Sequence, residues 1–160
     1  MPNATDWLAK YYPIPASETT ADEAAEHSLR KWSGLPIEVL DEYELHGEDH
    51  MIMDAQYKSV LRIDDQSCAL CWHFSCSRHL GHSGLPTVLR YVHIDQQAEG
   101  NLLLCPLFLV RDSTPCDKSM DGEDQDPYKT FLFEGDPGPM IEWLEKAVEF
   151  QRREREQAHA

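Results

Sequence analysis

The sequence contains no apolar run of the roughly 18 residues that a membrane-spanning helix needs. Its longest apolar stretch, Leu102 to Val110, is interrupted by Pro106 and would cover half a bilayer at most. Met1 to Lys10 has no basic segment leading into an apolar one, which excludes a recognisable secretory signal. No Gly-x-x-x-x-Gly-Lys phosphate loop, Gly-x-Ser-x-Gly elbow or His-Glu-x-x-His helix occurs. Basic residues are scarce: 14 Lys and Arg stand against 29 Asp and Glu, a formal charge of −15. Nucleic-acid binding draws its affinity from neutralised phosphates, so direct DNA or RNA contact is disfavoured. Cysteines number five, and an odd count argues against a disulfide framework. The expectation is a soluble cytoplasmic protein, without membrane contact.

The chain is otherwise ordinary, with 41 % hydrophobic and 27 % charged residues over 160 positions. That length buries about 70 % of the unfolded surface, enough for a core without staples. No internal repeat or linker is visible, so residues 1–160 are expected to form a single domain. Pro13 and Pro15 predict an extended segment over 1–17, with Trp7, Leu8 and Tyr12 laid on the surface as an apolar strap. Thr20-Ala-Asp-Glu23 reads as a capping box opening a helix that Ser33-Gly34 ends. Pro36 opens a second helix through Leu40 and Tyr43, completing an N-terminal helical hairpin. Ser59 to Ile63 and Thr87 to Ile94 read as strands, and Leu102 to Val110 as strand or buried helix. A loop rich in Asp, Ser, Gly and Pro follows from Asp112 to Asp126. Pro137 and Pro139 introduce a C-terminal helix carrying Ile141, Leu144 and Val148, with 151–160 as a frayed tail. The fold class expected is α+β, a small sheet between helical ends.

Cys68-Ala-Leu-Cys71 is the sharpest local motif. Two thiolates three positions apart can face one tetrahedral zinc ion, which then needs two more ligands. Cys105 and Cys116 are the preferred partners, because they would clip the loop after the apolar segment onto the Cys68 turn. The local set Cys76 and His79 is the reserve. Burial as small hydrophobes and a redox pair are the competing uses of these thiols. His73, His79 and His82 read as solvated loop residues that a metal site would draw on second.

The chain resembles a group of uncharacterised small proteins encoded by tailed bacteriophages and prophages. The resemblance rests on Glu26-His-Ser-Leu-Arg-Lys-Trp32-Ser-Gly-Leu35 after a Tyr-x-Ile-Pro-Ala-Ser segment, and on Cys68-Ala-Leu-Cys71. Cys105-Pro-Leu107, Pro115-Cys116-Asp117, Pro127-Tyr128 and Gly135-Asp-Pro-Gly-Pro-Met-Ile141 with Leu144-Glu-Lys-Ala147 follow in the same order. It implies that Cys68, Cys71, Cys105 and Cys116 hold a structural Zn²⁺. The sequence departs from the pattern at the second cysteine pair, where Leu102 stands three residues before Cys105. That leaves the fourth ligand between Cys116 and a reserve of Cys76 or a nearby histidine.

Carboxylates are concentrated in two stretches. Between Trp32 and Tyr57 there is no Lys or Arg, while Glu38, Asp41, Glu42, Glu44, Glu48, Asp49 and Asp54 are all acidic. Asp112, Asp117, Asp121, Glu123, Asp124 and Asp126 form the second stretch. Carboxylates at such density can imitate a phosphate track and fill a basic cleft on another protein. The function expected is that of a phage accessory factor. It would bind and inhibit a host protein, such as a defence or nucleic-acid-handling factor, through Asp41, Glu42 and Glu44 or Asp121, Glu123 and Asp124. Trp7, Tyr11 and Tyr12 are the competing aromatic surface, and self-association into a homo-oligomer stays open. The enzyme alternative is a zinc deaminase using His46-Gly-Glu48 with Cys68 and Cys71, although Ser67 stands where that chemistry wants proline.

Overall fold

The computed structural model describes residues 2–74 and 104–158. The expected strand Thr87 to Ile94, and Cys76, His79 and His82, lie outside the described residues. Seven α-helices and a three-stranded antiparallel sheet make a mixed α+β fold among the described residues. In chain order the helices are α1 (Ala4–Tyr11), α2 (Ala24–Ser33), α3 (Ile37–Glu42), α4 (Ala69–His73), α5 (Pro106–Val110), α6 (Pro127–Glu134) and α7 (Gly138–Ala158). The strands are β1 (His46–Glu48), β2 (Met51–Met53) and β3 (Ser59–Arg62).

The N-terminal segment is the first departure from expectation. It is helical, not extended, because Asn3 and Asp6 cap each other: the Asp6 amide donates to the Asn3 side chain (3.2 Å) and the Asn3 amide to the Asp6 carboxylate (2.9 Å). Pro13 and Pro15 act only beyond the helix end. Trp7 is not part of a surface strap either: it is fully buried, and its indole N–H donates to the Gly34 carbonyl at 2.9 Å.

Gly34 is required there by space. A Cβ at this position would stand 2.6 Å from Tyr11 Cγ and 2.8 Å from Trp7 Nε1, closer than real Cβ contacts come. The Ser33-Gly34 stop and the Pro36 start are therefore where the sequence placed them, with α1 packed into the joint between α2 and α3.

The sheet is a meander, β1-β2-β3, with His46 opposite Met53, Glu48 opposite Met51 and Ile52 opposite Leu61. Ile52 is fully buried and anchors the sheet in the core. Asp54 shapes the β2–β3 turn, its carboxylate accepting from the Gln56 and Lys58 amides at 2.9 Å each.

At the other end, α6 is bounded by Asp126, whose side chain accepts from the Lys129 amide (2.8 Å), and by Gly135 at φ +70°. Helix α7 packs against α2, where Ala24, Ala25 and Ala147 are fully buried and let the backbones approach. The expected fraying over 151–160 does not occur at Gln151. That residue is buried in the α2–α7 contact, and α7 continues to Ala158. No helix among the described residues is long and apolar enough to cross a membrane.

Candidate functional site

Helix α2 carries a lysine where only an apolar residue would be comfortable. Lys31 is 1 % exposed, and its ammonium donates to the Ser67 carbonyl and the Ser67 hydroxyl, each at 3.0 Å. A charge buried this deeply needs compensation. Burial pushes the Lys31 ammonium down from its ordinary range, while Cys68, Cys71, Asp64 and Cys116 pull it the other way. Three of the four cysteines expected at a metal site therefore lie within electrostatic reach of one ammonium.

Cys68 sits at the N-terminal boundary of α4 and Cys71 one turn along it. Their thiols are hydrogen-bonded, and the Cys71 amide also donates to the Cys68 sulfur. The Cys71 bond first, and burial second, push the Cys68 thiol well above its ordinary value, with Lys31 opposing. Ser28 Oγ, on α2, completes the surroundings of the Cys68 sulfur at 3.7 Å. Both residues keep partial contact with solvent, beside the exposed indole of Trp72. Cys105 differs: it is 2 % exposed, in the core before α5. Cys116 is half-buried, its carbonyl accepting from the Tyr128 amide at 3.4 Å.

None of the four described cysteines is in a disulfide. Among the described residues, no three His, Cys, Asp or Glu side chains converge closely enough to hold a metal ion. The chemistry of the Cys68–Cys71 pair suits two corners of a thiophilic tetrahedron. What the described residues supply is that pair, with Cys116 within electrostatic reach of the same lysine, and not a closed cage.

The first acidic stretch is displayed except for Asp54, whose carboxylate is engaged in the β2–β3 turn. Glu38, Asp41, Glu42, Glu44, Glu48 and Asp49 are all exposed along α3, the following turn and β1. Among the described residues none of them forms an ion pair with Lys or Arg; Glu48 meets only His46, at 3.7 Å. The second stretch is divided. Asp112, Asp117, Asp121 and Asp124 are exposed, but Glu123 is turned inward onto Arg111, a fully buried guanidinium that donates to both its oxygens at 3.0 Å. Arg111 also donates to the Lys118 carbonyl (2.6 Å) and lies 5.2 Å from the Trp143 ring centroid. Asp126 is buried as the α6 cap. Glu123 thus shapes the loop, which sequence spacing alone could not distinguish from display.

His46 and Glu48 lie on the three-residue strand β1, not at a helix start. The His46 ring packs edge-on to Tyr57 with centroids 5.0 Å apart. The sequence reading missed the site's most unusual residue, Lys31. Its one signal was a lysine at a position flanked on α2 by buried Ser28 and Trp32.

No protein-family model, curated protein or solved structure matches this chain.

Proposed function

We propose that this chain is an acidic binding module, a phage-type accessory protein that occupies a basic surface of a host protein and inhibits it. The observation that carries the reading is the display of Glu38, Asp41, Glu42, Glu44, Glu48 and Asp49 without Lys or Arg partners among the described residues. Carboxylates without a Lys or Arg ion pair on one continuous stretch of chain raise the local negative potential, and a formal charge of −15 strengthens it at long range. Inward-turned Glu123 leaves Asp121 and Asp124 as the accessible part of the second face. In the same proposal a zinc ion stabilises the fold, held by Cys68 and Cys71 with Cys116 as a further donor; Cys105 is buried in the core and is the least suited of the four. Zinc there would tie α4 to the loop before α6.

The test begins with affinity capture from the bacterial host at low salt. The on-rate of the purified pair is then measured at low and physiological salt. The rate is expected to fall steeply as salt rises. Replacing Asp41, Glu42 and Glu44 together by lysine is expected to slow association about tenfold or more at low salt, with Tm nearly unchanged. A rate that ignores both salt and the triple reversal overturns the acidic-face reading.

A further inference from the structure

The Cys68–Cys71 pair has the geometry for a covalent reaction that metal binding alone does not require. Residues three apart across the start of a helix have Cα atoms about 5 Å apart, inside the range a disulfide spans. The two thiols are also hydrogen-bonded to each other. Both residues retain partial solvent contact, which Cys105, at 2 % exposure, does not. The Lys31 ammonium, held in place by two bonds to Ser67, adjoins the pair.

We infer that Cys68 and Cys71 form a redox-active dithiol, which low-molecular-weight disulfides of the glutathione class oxidise to an intramolecular disulfide. One cysteine sulfur, after losing its proton, attacks the S–S bond of glutathione disulfide. A glutathione thiolate leaves, and a mixed disulfide remains on the protein. The other cysteine sulfur then displaces the second glutathione thiolate, closing the Cys68–Cys71 bond. Two protein thiols are oxidised and one disulfide is reduced, and the two protons released end on the two glutathione thiols. The inference concerns the same thiols as the zinc proposal but does not depend on it, since a metal-free pair reacts by the same steps.

The experiment treats the full-length protein, as purified, with glutathione disulfide. Remaining thiols are blocked with iodoacetamide, the protein is reduced, and newly exposed thiols are labelled with N-ethylmaleimide. Zinc released during oxidation is followed separately with a colorimetric chelator. The expected result is a mass loss of two hydrogens before blocking, reversed by dithiothreitol, with the second label on Cys68 and Cys71 only. Cys116→Ser is expected to keep this pattern and Cys71→Ser to abolish it. No mass loss in the wild type, or a second label shared with Cys76, Cys105 or Cys116, overturns the inference. Zinc release without mass loss overturns it too. Mass loss without any zinc supports the dithiol and counts against the metal reading.

Discussion

Gln151, about three turns along the last helix from the buried Met140, accepts a hydrogen bond from the Ala25 amide at 2.9 Å. Its side-chain nitrogen donates to the Ala21 carbonyl, also at 2.9 Å. The Ala25 amide is one of the orphan donors at the N-terminus of α2, where the Thr20 side chain makes no capping bond. A residue distant in sequence therefore does what a local cap would do. Gln151→Ala leaves a buried N–H unpaired and is expected to cost about 1–3 kcal/mol. Urea unfolding of the variant checks it; a midpoint equal to wild type would show that water replaces the glutamine without loss.

Gly34→Ala tests the joint between α1 and α2. The added methyl would meet Tyr11 and Trp7 at 2.6 and 2.8 Å, and the Trp7 indole is fixed by its bond to the Gly34 carbonyl. Tyr11 also packs edge-on against Tyr43 at 6.2 Å, so the ring cannot retreat freely. A destabilisation of about 1–3 kcal/mol is expected from this overpacking, read as a lower Tm with wild-type helical content at low temperature.

These first two sites show why the sequence was legible at some boundaries and not at others. The α2 stop, the α3 start and the Pro-led α7 depend on residues adjacent in sequence, and each was readable. Helix α6 was equally local, with Asp126 and Pro127 opening it and Gly135 closing it, but the density of turn residues before it masked the signal. Strands β1 and β2 have three residues each, with glycine in one, too short for alternation to register. Gln151 capping α2, Glu123 turning onto Arg111 and Lys31 burying itself against Ser67 are long-range pairings that periodicity does not encode. At the candidate site the Cys68–Cys71 pairing was visible from spacing, while the lysine beside it was not.

The Arg111–Glu123 pair sets an acid limb on stability. Burial alone would raise the Glu123 carboxyl, but bonds from the Arg111 guanidinium and the Met120 amide outweigh it and hold the group below its ordinary value of 4.5. A carboxyl depressed in the folded state contributes stability that is fully present above pH 4.5 and is lost as pH falls below it. Glu123→Gln removes this titration and leaves the buried guanidinium without its anion, at a cost of about 3–5 kcal/mol. Denaturant midpoints measured from pH 7 to pH 3 check both points. The variant should be less stable at neutral pH, and the gap to wild type should narrow as pH falls.

His27 gives a second pH-dependent contribution at higher pH. Its Nε2–H donates to the Ile14 carbonyl at 2.8 Å, its ring packs against Tyr12 at 5.0 Å, and its Nδ1 is buried without a partner. Burial, with Lys31 and Arg30 nearby, lowers its pKa below 6.5 in spite of the bond to Ile14. The folded state then resists a proton that the unfolded chain accepts, so stability is present above pH 6.5 and declines as pH falls below it. His27→Gln keeps a donor for Ile14 and is expected to flatten the stability profile between pH 6.5 and 5; an unchanged slope would place the titration elsewhere.

His46 and Glu48 separate a binding module from a deaminase. In that enzyme class the histidine ligates zinc and the glutamate shuttles protons without touching the metal. Here both sit on β1, 3.7 Å from each other, with His46 packed on Tyr57 and Glu48 exposed. If zinc is held through Cys68 and Cys71, replacing His46 by alanine is expected to leave the zinc content of the purified protein unchanged. Glu48→Gln is expected to leave both zinc content and Tm unchanged, since its carboxylate has a single partner at long range across an exposed strand. Cys71→Ser, by contrast, is expected to lower zinc content and to destabilise the fold, because the binding free energy of a structural metal is folding free energy. Elemental analysis of the three variants, purified without added metal, reads the zinc outcomes, and thermal unfolding of the same samples reads the stability outcomes. Zinc lost in His46→Ala and retained in Glu48→Gln would be the deaminase pattern and would reverse the assignment.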